Sequence, residues 1–219
     1  MSTVNLVFRM LSCGSSLYPI IDAVLCRKHK VLPVTLAQIL LDAGIPVFQY
    51  RDKISDKNTL YKTAEQMNKM AIRYSSVFIL NDFATMAAQL GCMVHLGQDD
   101  ISNGNPQTSF GLSTHNKEEI ERALSLLPRP EYIGFGAVFS SQTKKDVGVR
   151  QISLQDVLQL WPGAIVFIGG ITLDNVKSLP AGFHHYFAVI SDLFRFGEKP
   201  KDLQKYVHSF QNLIIRNNS

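Results

Sequence analysis

Acidic, cationic and hydroxyl side chains recur at the ends of short apolar segments. Asp82 closes "SVFILND" (76–82), and Asp99 and Asp100 follow "CMVHLG" (92–97). Gln49 and Arg51 end "PVFQYR" (46–51), with Lys53 two residues on. "YIGFGAVFS" (132–140) runs directly into Ser141, Thr143 and Lys144. Two carboxylates from adjacent strands, about 4.8 Å apart, could share one Mg2+. That ion takes ligands at about 2.0–2.1 Å and keeps waters and substrate phosphates among them. Arg51, Lys53 and Lys144 would neutralise the other oxygens. Acids, separate cations and hydroxyls together suggest a Mg2+-bound pyrophosphate. "AIVFIGG" (164–170) ends in glycines, whose missing Cβ lets backbone N–H groups approach an anion closely. Gly170 and Ser191 would then hold a second, single phosphate. Two facing anion sites imply a transfer between two phosphorylated substrates.

These groups need a scaffold that turns them all to one mouth. The chain alternates short β-rich runs with helical patterns or loops. The runs are 16–22, 46–51, 76–82, 92–97, 109–114, 132–140, 164–170 and 185–193. Helices are predicted at 35–44, 57–74, 84–91, 116–127, 153–161, 173–179 and 202–215. In 57–74, Leu60, Ala64, Met67 and Ala71 fall at helical spacing. Asn116 reads as an N-cap, with Glu118 and Glu119 in the favoured first turn. Strands joined by crossovers pair in parallel, and eight such units predict a (β/α)8 TIM barrel. In that fold the C-terminal strand ends build the active site. An open doubly wound sheet is the alternative, but no G-x-G-x-x-G follows the first strand. We expect one barrel domain over 1–219, with residues 1–15 as an extension.

At 219 residues and 46% hydrophobic, the chain can bury a sizeable core, and its formal charge of +4 includes no basic run that would mark a nucleic-acid arm. Three dispersed cysteines argue against a disulfide framework or a zinc site. The N-terminus lacks signal-peptide order, and no apolar run approaches the roughly 20 residues of a membrane helix. We expect a cytoplasmic enzyme acting on small molecules, without nucleic-acid or membrane partners; a homo-oligomer stays open.

The linked motifs resemble the thiamine-phosphate synthase (thiamine-phosphate pyrophosphorylase) family. They are "QYRDK" (49–53), "LND" (80–82), "HLGQDD" (95–100), "GLSTH" (111–115), "GAVFSSQTK" (136–144), "IGGI" (168–171) and "VIS" (189–191). Their order and spacing match from about Tyr18 to Asp192. The resemblance implies Mg2+-dependent condensation of hydroxymethylpyrimidine pyrophosphate with thiazole phosphate, giving thiamine phosphate and pyrophosphate. By position, Gln49, Tyr50, Arg51, Asp52, Lys53, Asn81, Ser113 and Lys144 would bind the pyrimidine pyrophosphate. Asp82 and Asp100 would hold Mg2+. Ser141, Gln142, Thr143, Gly170, Ile190 and Ser191 would bind the thiazole phosphate. Arg51, Lys53, Ser113 and Lys144 would be catalytic. The chain departs from the family pattern at Asp52 (Glu), Ala137 and Ser140 (Pro), Ser141 (Thr) and Phe83 (often Arg).

Singly, each group has a plainer use. Asp82 could cap the next helix, Asp99-Asp100 could be a polar turn, and Lys144 could be solvated loop charge. His95 reads as a core histidine. Two other activities fit parts of the pattern: a thiazole tautomerase-like isomerase, or a non-catalytic barrel binding thiazole phosphate or thiamine phosphate.

Overall fold

In the computed structural model, which describes residues 16–101, 106–139, 152–180, 184–196 and 199–216, eight parallel strands close a barrel in chain order. They are β1 (Ser16–Asp22), β2 (Val47–Arg51), β3 (Val77–Asn81), β4 (Met93–Leu96), β5 (Phe110–Thr114), β6 (Tyr132–Gly136), β7 (Ala164–Ile168) and β8 (His185–Val189). β8 returns to β1 with Tyr186 opposite Ser16, so no strand edge is left unpaired. The helices are α1 (Ala23–His29), α2 (Pro33–Asp42), α3 (Lys57–Arg73), α4 (Ala84–Leu90), α5 (Gln98–Ile101), α6 (Lys117–Ser125), α7 (Leu154–Leu160) and α8 (Pro200–Arg216). None among the described residues is long and apolar enough to cross a membrane. Residues 1–15, expected as an extension, lie outside the described residues.

Side-chain parity along each strand sorts the core into two parts. On β3, Val77 and Ile79 point into the barrel, while Phe78 and Leu80 face the helices. On β7, Ala164 and Val166 point in, while Ile165 and Phe167 point out. Both faces of a parallel barrel are buried, so these strands read as unbroken apolar runs. The helices cover the outside with one apolar stripe each: α3 buries Leu60, Ala64, Met67 and Ala71. Its N-terminus is held by Asp56, which accepts from the N–H groups of Asn58 and Thr59. Asn116 caps α6 by accepting from Glu119 N–H at 2.9 Å, a bond of the kind worth about 1 kcal/mol.

Several elements differ from the sequence reading: the short α5 was not expected, and the run expected as a strand over 185–193 ends at Val189, with the 3-10 segment Ser191–Phe196 after it. α1 was not expected, because "AVLCRKH" shows no repeating apolar stripe; Asp22 starts it by accepting from Leu25 N–H. The helix expected at 173–179 is reduced to one 3-10 turn, Val176–Ser178. Asn175 diverts the chain there: it donates to Gly170 O and accepts from Thr172 N–H, both at 2.8 Å.

Candidate active site

The parity of β2 decides which of residues 49–53 can meet a ligand. Gln49 lies on the inward face with Val47, and Arg51 follows on the same face at the rim. Tyr50 lies outward in the helix-facing core, where its hydroxyl donates to Asp52 Oδ2 at 2.7 Å. Asp52 also accepts from the N–H groups of Ile54 and Ser55, both at 3.0 Å. Burial pushes the Asp52 carboxyl up, but the Ile54 N–H, the Tyr50 hydroxyl and Ser55 outweigh it and hold the group below the usual carboxylate range. Tyr50 and Asp52 therefore shape the loop after β2, and the structure does not bring them to the inward group.

At the rim, Arg51 donates from Nη1 to Asp22 Oδ2 at 2.6 Å. Asp22 thus joins β1, the start of α1 and the Arg51 guanidinium. Its role was missed in the sequence, although an acid ending a strand just before a helix is a visible signal. Lys53 forms an ion pair with Asp82, the first residue after β3. Asp82 stands at φ +69°, a left-handed conformation that non-glycine residues rarely adopt. It does not cap α4: the residue at that cap is Phe83, and no side chain bonds there. Its Oδ2 is shut off from solvent, and the Lys53 ammonium is its partner.

The turn after β4 supplies the second acid. β3 and β4 are neighbours, with Asn81 opposite His95, so Asp82 and Asp100 belong to adjacent strand ends at the same rim. Asp100 Oδ2 accepts from Gly97 N–H at 2.8 Å, which makes it part of the turn as well. Asp99 is exposed. Gln98, beside them, donates to Ser113 O at 2.5 Å, and its buried Oε1 accepts nothing.

Hard carboxylate oxygen donors suit Mg2+. No group of three or more metal-ligating residues occurs among the described residues. A two-carboxylate set, completed by substrate oxygens and water, is the arrangement Mg2+ commonly takes.

Inside the mouth, the polar side chains form one connected chain. Gln49 Nε2 donates to Asn81 Oδ1 at 2.8 Å, and Tyr18 donates to Gln49 Oε1 at 2.9 Å. The Tyr18 and Tyr132 hydroxyls lie 2.9 Å apart. His95 contacts Tyr132 through Nδ1 at 3.0 Å and Ser113 through Nε2 at 2.9 Å. Enclosure in the barrel pushes the His95 imidazole down to about 4, against the pull of the Asp100 carboxylate, so it is neutral near pH 7.

Across the mouth, β7 ends in Gly169 at φ +107° and Gly170 at φ +62°. A Cβ on Gly169 would lie 2.7 Å from Ala137 Cα, so only glycine fits where the chain after β6 crosses. Val138 N–H bonds Ile168 O at 2.9 Å and Phe139 N–H bonds Gly169 O at 3.1 Å, extending the β6–β7 pairing to the rim. Asn175, not singled out in the sequence, ties down the Gly170 carbonyl. Ile190 packs against the barrel interior, and exposed Ser191 begins the 3-10 segment Ser191–Phe196. Ser141, Gln142, Thr143 and Lys144 lie outside the described residues.

The chain is similar to known proteins in sequence and in fold. A family model described as thiamine monophosphate synthase matches residues 17–193. A thiamine-phosphate synthase from Lawsonia intracellularis is 30% identical over 203 residues, covering 89% of this chain and 92% of that protein. The solved thiamine phosphate pyrophosphorylase of Pyrococcus furiosus superposes with a TM-score of 0.72 at 23% identity, over 93% of this chain and 97% of that one. A 2-keto-3-deoxy-6-phosphogluconate aldolase from Zymomonas mobilis shares the fold, with a TM-score of 0.60 at 11% identity over 94% of this chain and 97% of that one.

Proposed function

The chain belongs to the thiamine monophosphate synthase family, a family of transferases, and from that premise we propose that it joins a hydroxymethylpyrimidine pyrophosphate to a thiazole phosphate at the barrel mouth. The observation that carries this reading is the rim between β3 and β4. There the Asp82 carboxylate, its ion-pair partner Lys53 and Asp100 come from adjacent strand ends, next to Asn81, which accepts from Gln49.

In this reading Asp82 and Asp100 hold Mg2+, which when bound neutralises the oxygens of the departing pyrophosphate. Lys53 and Arg51 add cationic hydrogen bonds to the same group, and Lys144 is assigned to it with them. The C–O bond to pyrophosphate breaks with its electron pair on oxygen, and the thiazole nitrogen lone pair forms the new C–N bond. No protein base is needed for that exchange, so the residues act by positioning and charge stabilisation. Gln49, Asn81 and Ser113 orient the pyrimidine. Gly170, Ile190 and Ser191, with Ser141, Gln142 and Thr143, hold the thiazole phosphate.

The test is turnover with both substrates, with and without Mg2+. Thiamine phosphate and pyrophosphate should appear in equal amounts and only with the metal. Thiazole isomerisation without Mg2+ would show a tautomerase instead. Binding of either phosphate with no product would show a non-catalytic barrel.

A further inference from the structure

The polar chain inside the barrel has a direction that follows from counting protons. Gln49 Oε1 can only accept, so the single Tyr18 hydroxyl proton is committed to it. The contact between Tyr18 and Tyr132 then requires Tyr132 to donate. Tyr132 has no second proton, so His95 Nδ1 must carry a hydrogen and donate to it. A neutral imidazole protonated on Nδ1 has a bare Nε2, and Ser113 Oγ–H donates to that nitrogen. At the far end, Asn81 Oδ1 is filled by Gln49 Nε2, which leaves the Asn81 amide hydrogens as donors.

We propose that His95 is a positioning residue, and that the spine Ser113–His95–Tyr132–Tyr18–Gln49–Asn81 fixes the donor and acceptor pattern that reads the pyrimidine. Ser113 Oγ offers only lone pairs to a ligand, while Asn81 offers N–H. That pattern suits a ring edge with an amino-type donor beside a bare ring nitrogen. It opposes an oxo ring, whose donor and acceptor are exchanged. The proposal rests on the pyrimidine reading above.

The barrel makes room for this spine at two strand positions. A Cβ on Gly111 would fall 2.0 Å from Tyr132 Cζ, and one on Gly134 would fall 3.0 Å from His95 Cε1. β5 and β6 thus give up side chains exactly where the two rings lie. The His95 and Tyr132 rings stack with centroids 5.6 Å apart and planes 21° apart. Tyr18 and Tyr132 sit in the inner core, where an unpartnered hydroxyl is costly, so a break at one link is felt along the chain.

Histidine-selective 1H–15N NMR on the full-length protein, with His95→Gln to assign the signal, reads the tautomer directly. The expected result is a neutral ring protonated on Nδ1 at pH 7, moving toward Nε2 protonation in Tyr132→Phe. An Nε2-protonated parent overturns the proposal, because the whole spine then runs the other way. Kinetics supply the second readout. Tyr132→Phe should raise KM for the pyrimidine pyrophosphate at least about fivefold and leave KM for thiazole phosphate unchanged. In a Ser113→Ala background the same change should cost less than about twofold. Equal shifts in both KM values, or full additivity with Ser113→Ala, also overturn it. A parent that turns over neither substrate defeats the functional reading alone, since the tautomer still decides the spine.

Discussion

The ammonium of Lys53 lies against the Asp82 carboxylate, in the position a divalent cation would take on that oxygen. If Asp82 holds Mg2+ as proposed, the two cations compete for that oxygen. The Lys53 side chain is 49% exposed and has room to leave for a phosphate oxygen. Lys53→Met should bind Mg2+ more tightly without substrate, by up to about tenfold (~1.4 kcal/mol). Its turnover should still fall by about 100-fold or more, the scale of losing one preorganised charge contact in a transition state. Titration calorimetry with MgCl2 and steady-state kinetics check both halves; Mg2+ affinity and turnover both equal to the parent's would remove Lys53 from the site.

Asp100 accepts from Gly97 N–H and is the second proposed metal ligand, two roles that different substitutions separate. Asp100→Asn keeps an oxygen for the Gly97 N–H but loses the charge. Asp100→Ala loses both, and the broken bond should cost about 1 kcal/mol, or roughly 2–4 °C in melting temperature for a domain of this size. Both variants should lose most Mg2+-dependent turnover, and only Asp100→Ala should melt early. An active Asp100→Asn with an unchanged Mg2+ requirement would exclude the metal role.

Gly111→Ala places a methyl where the Tyr132 ring already is. Overpacking of this kind costs about 1–3 kcal/mol. With Tyr132→Ala as background the ring is gone, so the same methyl should cost much less, a coupling that melting curves of the four proteins measure. Equal costs in both backgrounds would show that the strain lies elsewhere.

Much of this arrangement was legible from spacing, and the remainder was hidden for definable reasons. Eight β-rich runs in alternation gave the barrel, and polarity at their ends marked the mouth. Asp82, which on its own could be read as a helix cap, does not cap α4, whose N-cap is Phe83. Parity on β2 was present in "VFQYR", yet motif resemblance grouped Tyr50 and Asp52 with Gln49 and Arg51; the strand turns the first two to the opposite face. Partners far apart in sequence leave no spacing signal. Tyr18 and Tyr132 are 114 residues apart and Asp22 and Arg51 are 29 apart. His95 read as a core histidine and does lie in the barrel, but both its nitrogens are engaged by side chains from β5 and β6. Asn175 stopped a helix that its neighbours favour, because its side chain bonds the backbone on both sides of Ile171.

The enclosed imidazole also sets a pH dependence. The groups facing His95 are the Tyr132 and Ser113 hydroxyls and, at longer range, the Asp100 carboxylate. Its folded pKa is depressed to about 4 from an ordinary 6.5. Below pH 6.5 the unfolded chain takes up a proton that the folded chain refuses, so stability falls as pH drops. The loss is complete near pH 4 and amounts to about 3 kcal/mol at most. His95→Gln cannot titrate, so its melting temperature should fall less steeply than the parent's between pH 6.5 and 4, whatever its value at pH 7. Parallel melting profiles for the two proteins across that window would mean that His95 takes up its proton equally well in the folded state, and that the barrel interior does not hold the ring neutral.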